Sequence, residues 1–66
     1  MPNLLKLKGR IKEKNQTYFK LADKIGISAS AFNNKINGRS SFDIIEASQL
    51  SAILDIPPED IIYFFT

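Results

Sequence analysis

An all-α domain of five short helices is the fold class this 66-residue chain predicts. Three observations carry it. Apolar residues recur at spacings of three and four along most of the chain, the period of a helix with one buried face. Helix-start residues stand just before these runs (Thr17, Ser28, Asp43), and left-handed-tolerant residues stand just after them (Gly26, Asn37-Gly38). No stretch alternates apolar and polar residues between turn signals as a strand pair would.

The first helix is expected over residues 4–14, where Leu4, Leu7 and Ile11 form one stripe and Lys6, Lys8, Arg10, Lys12 and Lys14 fill much of the remainder. Gly9 interrupts this helix at a cost of about 1 kcal/mol relative to Ala. It serves either close approach of another backbone or nothing in particular. Asn15-Gln16 reads as a loop. Thr17 is an N-cap whose hydroxyl accepts from an N–H in the next turn, and a second helix follows from about Tyr18 to Ile25. Leu21, Ala22 and Ile25 are its inner face. Gly26 ends it, because the residue after a helix commonly needs a positive φ. Ile27 reads as a core plug in the turn. Ser28 caps a third helix from Ala29 to about Ile36, with Phe32 and Ile36 inward and Ser28, Ala29, Ser30, Asn33, Asn34 and Asn37 on another face. Gly38-Arg39-Ser40-Ser41 is a loop. Asp43 and Glu46 have capping-box spacing and open a fourth helix running to about Leu54, with Ala47, Leu50, Ile53 and Leu54 as its stripe. Pro58 suits a first helical position. Glu59 and Asp60 complement the positive helix end. The last helix, Ile61 to Phe65, closes the core, contributes to a dimer contact, or does both. Ile44 and Ile45 cannot both face inward easily.

Composition narrows the function. A chain of 66 residues is one domain at most. It has no Cys and no His, so disulfides, thiolate chemistry and the common zinc sites are excluded. No nucleophile–base pair or carboxylate cluster suggests an enzyme, and no cofactor is expected. No apolar run approaches a membrane span. The first ten residues do not read as a signal peptide, so a cytoplasmic location is expected. The net charge of +2 hides an asymmetry: residues 1–40 carry all nine bases and two acids, while residues 41–66 carry five acids and no base. A basic half either attracts phosphates or merely solvates the helices of a dipolar protein. Two short helices around a small-residue turn, the second with an amide-rich outer face, suit a DNA-reading helix-turn-helix.

The stretch T-Y-F-K-L-A-D-K-I-G-I-S-A-S-A-F-N-N-K-I-N-G (residues 17–38) resembles the helix-turn-helix of the Cro and lambda-repressor-like (XRE) proteins. Thr17, Ala22, Gly26, Ile27-Ser28, Phe32 and Asn37-Gly38 carry the likeness. L-K-G-R-I-K-E-K, K-I-N-G-R, F-D-I-I-E and I-I-Y-F-F extend it over nearly the whole chain, toward a subgroup of short phage and prophage regulators. The resemblance implies a five-helix lambda-repressor-like domain, with the second helix across the DNA backbone and the third in the major groove. It also implies a homodimer on inverted half-sites of double-stranded operator DNA, with no membrane and no small-molecule substrate. Three positions depart from the family pattern: Tyr18 replaces a frequent Gln, Ala29 a frequent Arg or Gln, and Lys35 a large apolar residue.

Base readout is expected from Ser28, Ala29, Ser30, Asn33 and Asn34. Asn pairs with adenine, Ser is permissive, and Ala can meet a thymine methyl. Backbone contacts are expected from Thr17, Tyr18 and Lys20 on one flank and from Lys35, Asn37, Arg39 and Ser40 on the other. For Arg39 the alternative is a surface ion pair with Asp43. Phe19 has no assigned role. The acidic C-terminal half and the I-I-Y-F-F tail leave a second possibility open, a protein-interaction module on the same fold, such as an antirepressor or antitoxin-like partner.

Overall fold

The computed structural model describes residues 4–65. Met1–Asn3 and Thr66, at the two ends of the single unit expected over 1–66, lie outside those residues. Five helices follow one another: α1 (Leu4–Glu13), α2 (Tyr18–Ile25), α3 (Ala29–Ile36), α4 (Ile44–Ile53) and α5 (Ile61–Phe65). A 3-10 turn, Pro58–Asp60, leads into α5. There is no strand among the described residues. None of these helices is long and apolar enough to cross a membrane.

The helix starts are built locally. Thr17 Oγ1 accepts from Lys20 N at 3.2 Å, and Ser28 Oγ accepts from Ala31 N at 3.0 Å. Asp43 and Glu46 form a complete capping box: Asp43 Oδ1 accepts from Glu46 N at 2.7 Å, and Glu46 Oε1 accepts from Asp43 N at 3.0 Å.

The helix ends share one device. After α2, Gly26 takes φ 77°, and the N–H of Ile27 turns back to Ala22 O at 3.0 Å. Gly38 at φ 83° does the same after α3, with Arg39 N donating to Asn34 O at 2.8 Å. α1 and α4 end likewise, on the non-glycine residues Asn15 and Asp55 at φ 54° and 55°. Such a left-handed residue satisfies the last orphan carbonyls of a helix. α1 therefore stops at Glu13, one residue before its expected end.

Leu7 and Ile11 of α1, Leu21, Ala22 and Ile25 of α2, Phe32 and Ile36 of α3, and Leu50 and Leu54 around α4 form the core, with Ile56 and Phe64. Phe32 lies at its centre, fully buried. A row of rings crosses it: Tyr18 to Phe32 at 5.5 Å, Phe32 to Phe42 at 5.6 Å, and Phe42 to Phe65 at 5.8 Å between centroids. Ile27, Ile61 and Phe65 pack against the core from outside, so much of α5 closes the bundle. Ile62 and Tyr63 remain exposed. Ile53, expected in the stripe of α4, is only half-buried. Gly9 meets no neighbour: a Cβ there would touch nothing within 4 Å, so no other backbone makes the close approach.

Candidate nucleic-acid interface

α2 and α3 pack against each other through Leu21, Ala22, Phe32 and Ile36, with the Gly26 turn between them. That packing consumes the inner face of α3. Its outer face presents Ser30, Asn33, Asn34 and Asn37, all exposed. The side-chain amides of Asn33 and Asn34 bond no other group among the described residues, and each offers a donor and an acceptor side by side. Ala29 is half-buried, and Ser28 spends one lone pair on its cap.

The expected flanks fall on either side of this face. Thr17 is exposed at the start of α2. Tyr18 is half-buried, its ring against Phe32. Lys20 is exposed. Thr17 and Tyr18 share a shallow concavity with Lys8, Lys12 and Gln16. On the other flank, Asn37 Nδ2 donates to Asn33 O at 2.9 Å, while its Oδ1 accepts from Lys8 Nζ at 3.3 Å. Lys8 thus links the concavity at the start of α2 to the end of α3. No sequence signal distinguished Lys8 from the other bases of α1, because its neighbours come from residues 29 positions away. Arg39 and Ser40 are exposed in the loop after α3. Arg39 forms no ion pair with Asp43, whose carboxylate is occupied by the N–H of Glu46.

Lys35 departs from the expected set. Its ammonium is bound to the carboxylate of Glu46, with side-chain exposures of 17% and 10% for the two residues. It turns toward α4 rather than toward solvent, so its charge is committed within the fold and not offered to a ligand. The cause is the capping box. Glu46 must reach back to Asp43 N to close it, and that posture holds its carboxylate beside the last turn of α3.

Other bases of the N-terminal half are also committed. Arg10 donates from Nε to Leu54 O at 3.1 Å and from a terminal nitrogen to Asp55 O at 3.0 Å, capping the end of α4. Lys14 pairs with Asp55 at 3.0 Å, and Lys24 donates to Gln16 at 3.4 Å. Lys6 lies over the rings of Tyr63 and Phe64 at 5.4 and 4.9 Å. The exposed cations left with no ion pair or side-chain hydrogen bond among the described residues are Lys12, Lys20 and Arg39. The steep charge split of the sequence therefore overstates the charge available to a ligand.

The structure thus defines an all-helical protein with an exposed, uncharged amide face on α3 and exposed cations on α1, on α2 and in the loop after α3. The chain matches a family over residues 3–66 and belongs to it; the family is described as "Protein of unknown function (DUF739)". No curated protein gives a significant match.

Proposed function

We propose that this protein is a sequence-specific DNA-binding regulator of transcription, a Cro-like repressor acting as a homodimer on operator DNA in the cytoplasm of a bacterial or phage-infected cell. α2 and α3 act as its helix-turn-helix, and α3 enters the major groove. One observation carries this most directly: Asn33 and Asn34 lie exposed on the outer face of α3 with their amides uncommitted. Asn has poor helix propensity, so neither residue is there to favour the helix. An Asn amide matches N6 and N7 of adenine in bidentate fashion. Ser30 lies on the same face, and Lys20 and Arg39 supply phosphate contacts at its borders, with Asn37 and Ser40 beside Arg39 and Thr17 and Tyr18 at the opposite edge.

Selection of bound duplexes from a random pool tests this. A palindromic motif rich in A·T steps within each half-site is expected. Asn33→Ala and Asn34→Ala should each reduce preference for the selected site over random duplex by about 1–3 kcal/mol where a bidentate contact is lost. Recovery of no motif, or a preference unchanged from wild type in both variants, would refute it. A protein-interaction role has its own support in the exposed Ile44, Ile45, Ile62 and Tyr63. No salt-dependent DNA binding, together with stoichiometric capture of a protein partner, would establish that role instead.

A further inference from the structure

The cations of the N-terminal half sort by what holds them. Arg10, Lys14 and Lys35 each have a carboxylate partner, in Glu13, Asp55 and Glu46. Those around the concavity between α1 and the start of α2 do not. Lys8 Nζ donates to the amide oxygen of Asn37, Lys24 Nζ donates to that of Gln16, and Lys12 has no partner among the described residues. A neutral amide holds an ammonium in place and leaves its charge uncompensated. The concavity, of about 480 Å³, is lined by Lys8, Gly9, Lys12, Gln16, Thr17 and Tyr18 around Ile11, with no acid among its described lining residues. Lys8 and Lys12 stand one turn apart on α1, a like-charge spacing that costs a helix about 0.2–0.5 kcal/mol. Gly9 is an independent observation. It is the one glycine inside a helix, it takes no positive φ, and it costs α1 about 1 kcal/mol relative to Ala. A Cβ there would meet nothing within 4 Å, so no neighbour in the chain requires the gap. The gap lies in the wall of the concavity, where a side chain would stand in the space an incoming group occupies.

We propose that this concavity seats a phosphodiester of the DNA backbone, with Lys8 and Lys12 as its cations and Gly9 as the point of closest approach. The proposal rests on the DNA-binding role above and extends its phosphate contacts to α1. Charge selects an anion, because two uncompensated ammonium groups line one basin. Shape selects a phosphate carried on a polymer. Small ligands are held in clefts that bury most of their surface, whereas this basin is shallow. A phosphate within a duplex is held by its neighbours as well and needs no enclosure. The seat is also tied to the outer face of α3: Lys8 donates to Asn37, and Asn37 Nδ2 donates to Asn33 O. A phosphate gripped by Lys8 therefore sets the register of Asn33 on the duplex, which is what backbone contacts contribute to recognition.

Binding of the full chain to a random-sequence duplex, followed by fluorescence anisotropy at several salt concentrations, tests the seat. Gly9→Ala and Gly9→Leu should be at least as stable as wild type in urea, since both residues favour a helix over Gly. They should nevertheless bind the duplex about threefold and at least tenfold more weakly. Lys8→Met and Lys12→Met should each lower affinity at least threefold, and the double variant should reduce the slope of log K against log salt by about 0.9, one phosphate. Lys14→Met, whose charge is paired with Asp55, should leave that slope unchanged. Glycine variants that bind as tightly as wild type overturn the seat and leave the DNA-binding role standing. So does a double lysine variant with an unaltered slope, or a loss on Lys14→Met equal to that on Lys8→Met. A wild-type chain that binds no duplex overturns both. Inorganic phosphate, titrated at constant ionic strength and followed by amide chemical shifts, separates a free anion from DNA. Saturable shifts of Gly9 and Thr17 with phosphate, and none with duplex, would assign the concavity to a free anion and overturn the proposal.

Discussion

Glu46 is the side chain that ties the end of α3 to the start of α4, and replacing it by alanine should cost far more than a surface substitution. Its carboxylate accepts from Lys35 Nζ at the end of α3 and from Asp43 N at the start of α4. Glu46→Ala removes the one carboxylate oxygen that accepts both bonds and leaves an ammonium with 17% side-chain exposure unpaired. Breaking a fully buried pair by removing one partner costs about 3–5 kcal/mol. This pair keeps some contact with water, so about 2 kcal/mol is appropriate, and the lost cap bond adds roughly 0.5–1 kcal/mol. The total is about 2–3 kcal/mol, against a whole-chain stability of roughly 3–10 kcal/mol for a domain of this length. Urea denaturation followed by helical circular dichroism measures it directly. In thermal melts the same loss should lower the midpoint by roughly 10–20 °C. Lys35→Met should cost less, because the carboxylate keeps Asp43 N and can turn toward solvent. Glu46→Gln retains an acceptor for Asp43 N and removes only the charge. A double-mutant cycle between it and Lys35→Met should therefore return a coupling of about 1–3 kcal/mol. A cost below about 0.5 kcal/mol for Glu46→Ala, the range of ordinary surface changes, would refute the reasoning, as would a coupling near zero.

Under the proposed DNA-binding role, the same geometry separates Lys35 from Arg39. Arg39→Ala should weaken binding to any duplex and reduce the slope of log K against log salt by about 0.9, one phosphate contact. Lys35→Met should leave that slope unchanged, and titrations at several salt concentrations distinguish the two. Arg10→Ala should lose about 1.5–3 kcal/mol of stability with the charged donor to the α4 carbonyls. Arg10→Lys should recover little, since a single ammonium does not reproduce the planar fork that reaches two carbonyls. Gly9→Ala should raise stability by up to about 1 kcal/mol, because the added methyl meets nothing. Gly26→Ala should lower it by about 1–2 kcal/mol, because φ is 77° there. Chemical denaturation of the two glycine variants in parallel gives opposite signs if both arguments hold.

The helices and their limits were legible in the sequence because their causes are local. A cap bond spans three residues, so Thr17, Ser28 and Asp43 announce α2, α3 and α4 within a window of four positions. Gly26 and Gly38 mark the ends through a backbone requirement that is equally local. The core followed from periodicity: Leu7, Ile11, Leu21, Phe32, Ile36 and Leu50 lie where a 3.6-residue repeat places them. The outer face of α3 was legible for the same reason, as the complement of Phe32 and Ile36.

Tertiary structure decided which charges are spoken for. Arg10 and the carbonyls it caps are separated by 44 and 45 positions, and Lys8 and Asn37 by 29. No periodicity encodes such pairs, since they depend on how the helices are placed around Phe32. Lys35 is the clearest case. By sequence it is one more cation at the end of an outward-facing helix. In the fold it is neutralised by a glutamate whose position is set by the cap of the next helix. Where each helix starts, stops and turns its apolar side can be read along the chain, because those features depend on neighbours within one or two turns. Which polar side chains remain available to a ligand was settled only when the five helices packed, because a charge is free or committed according to what lies beside it in space.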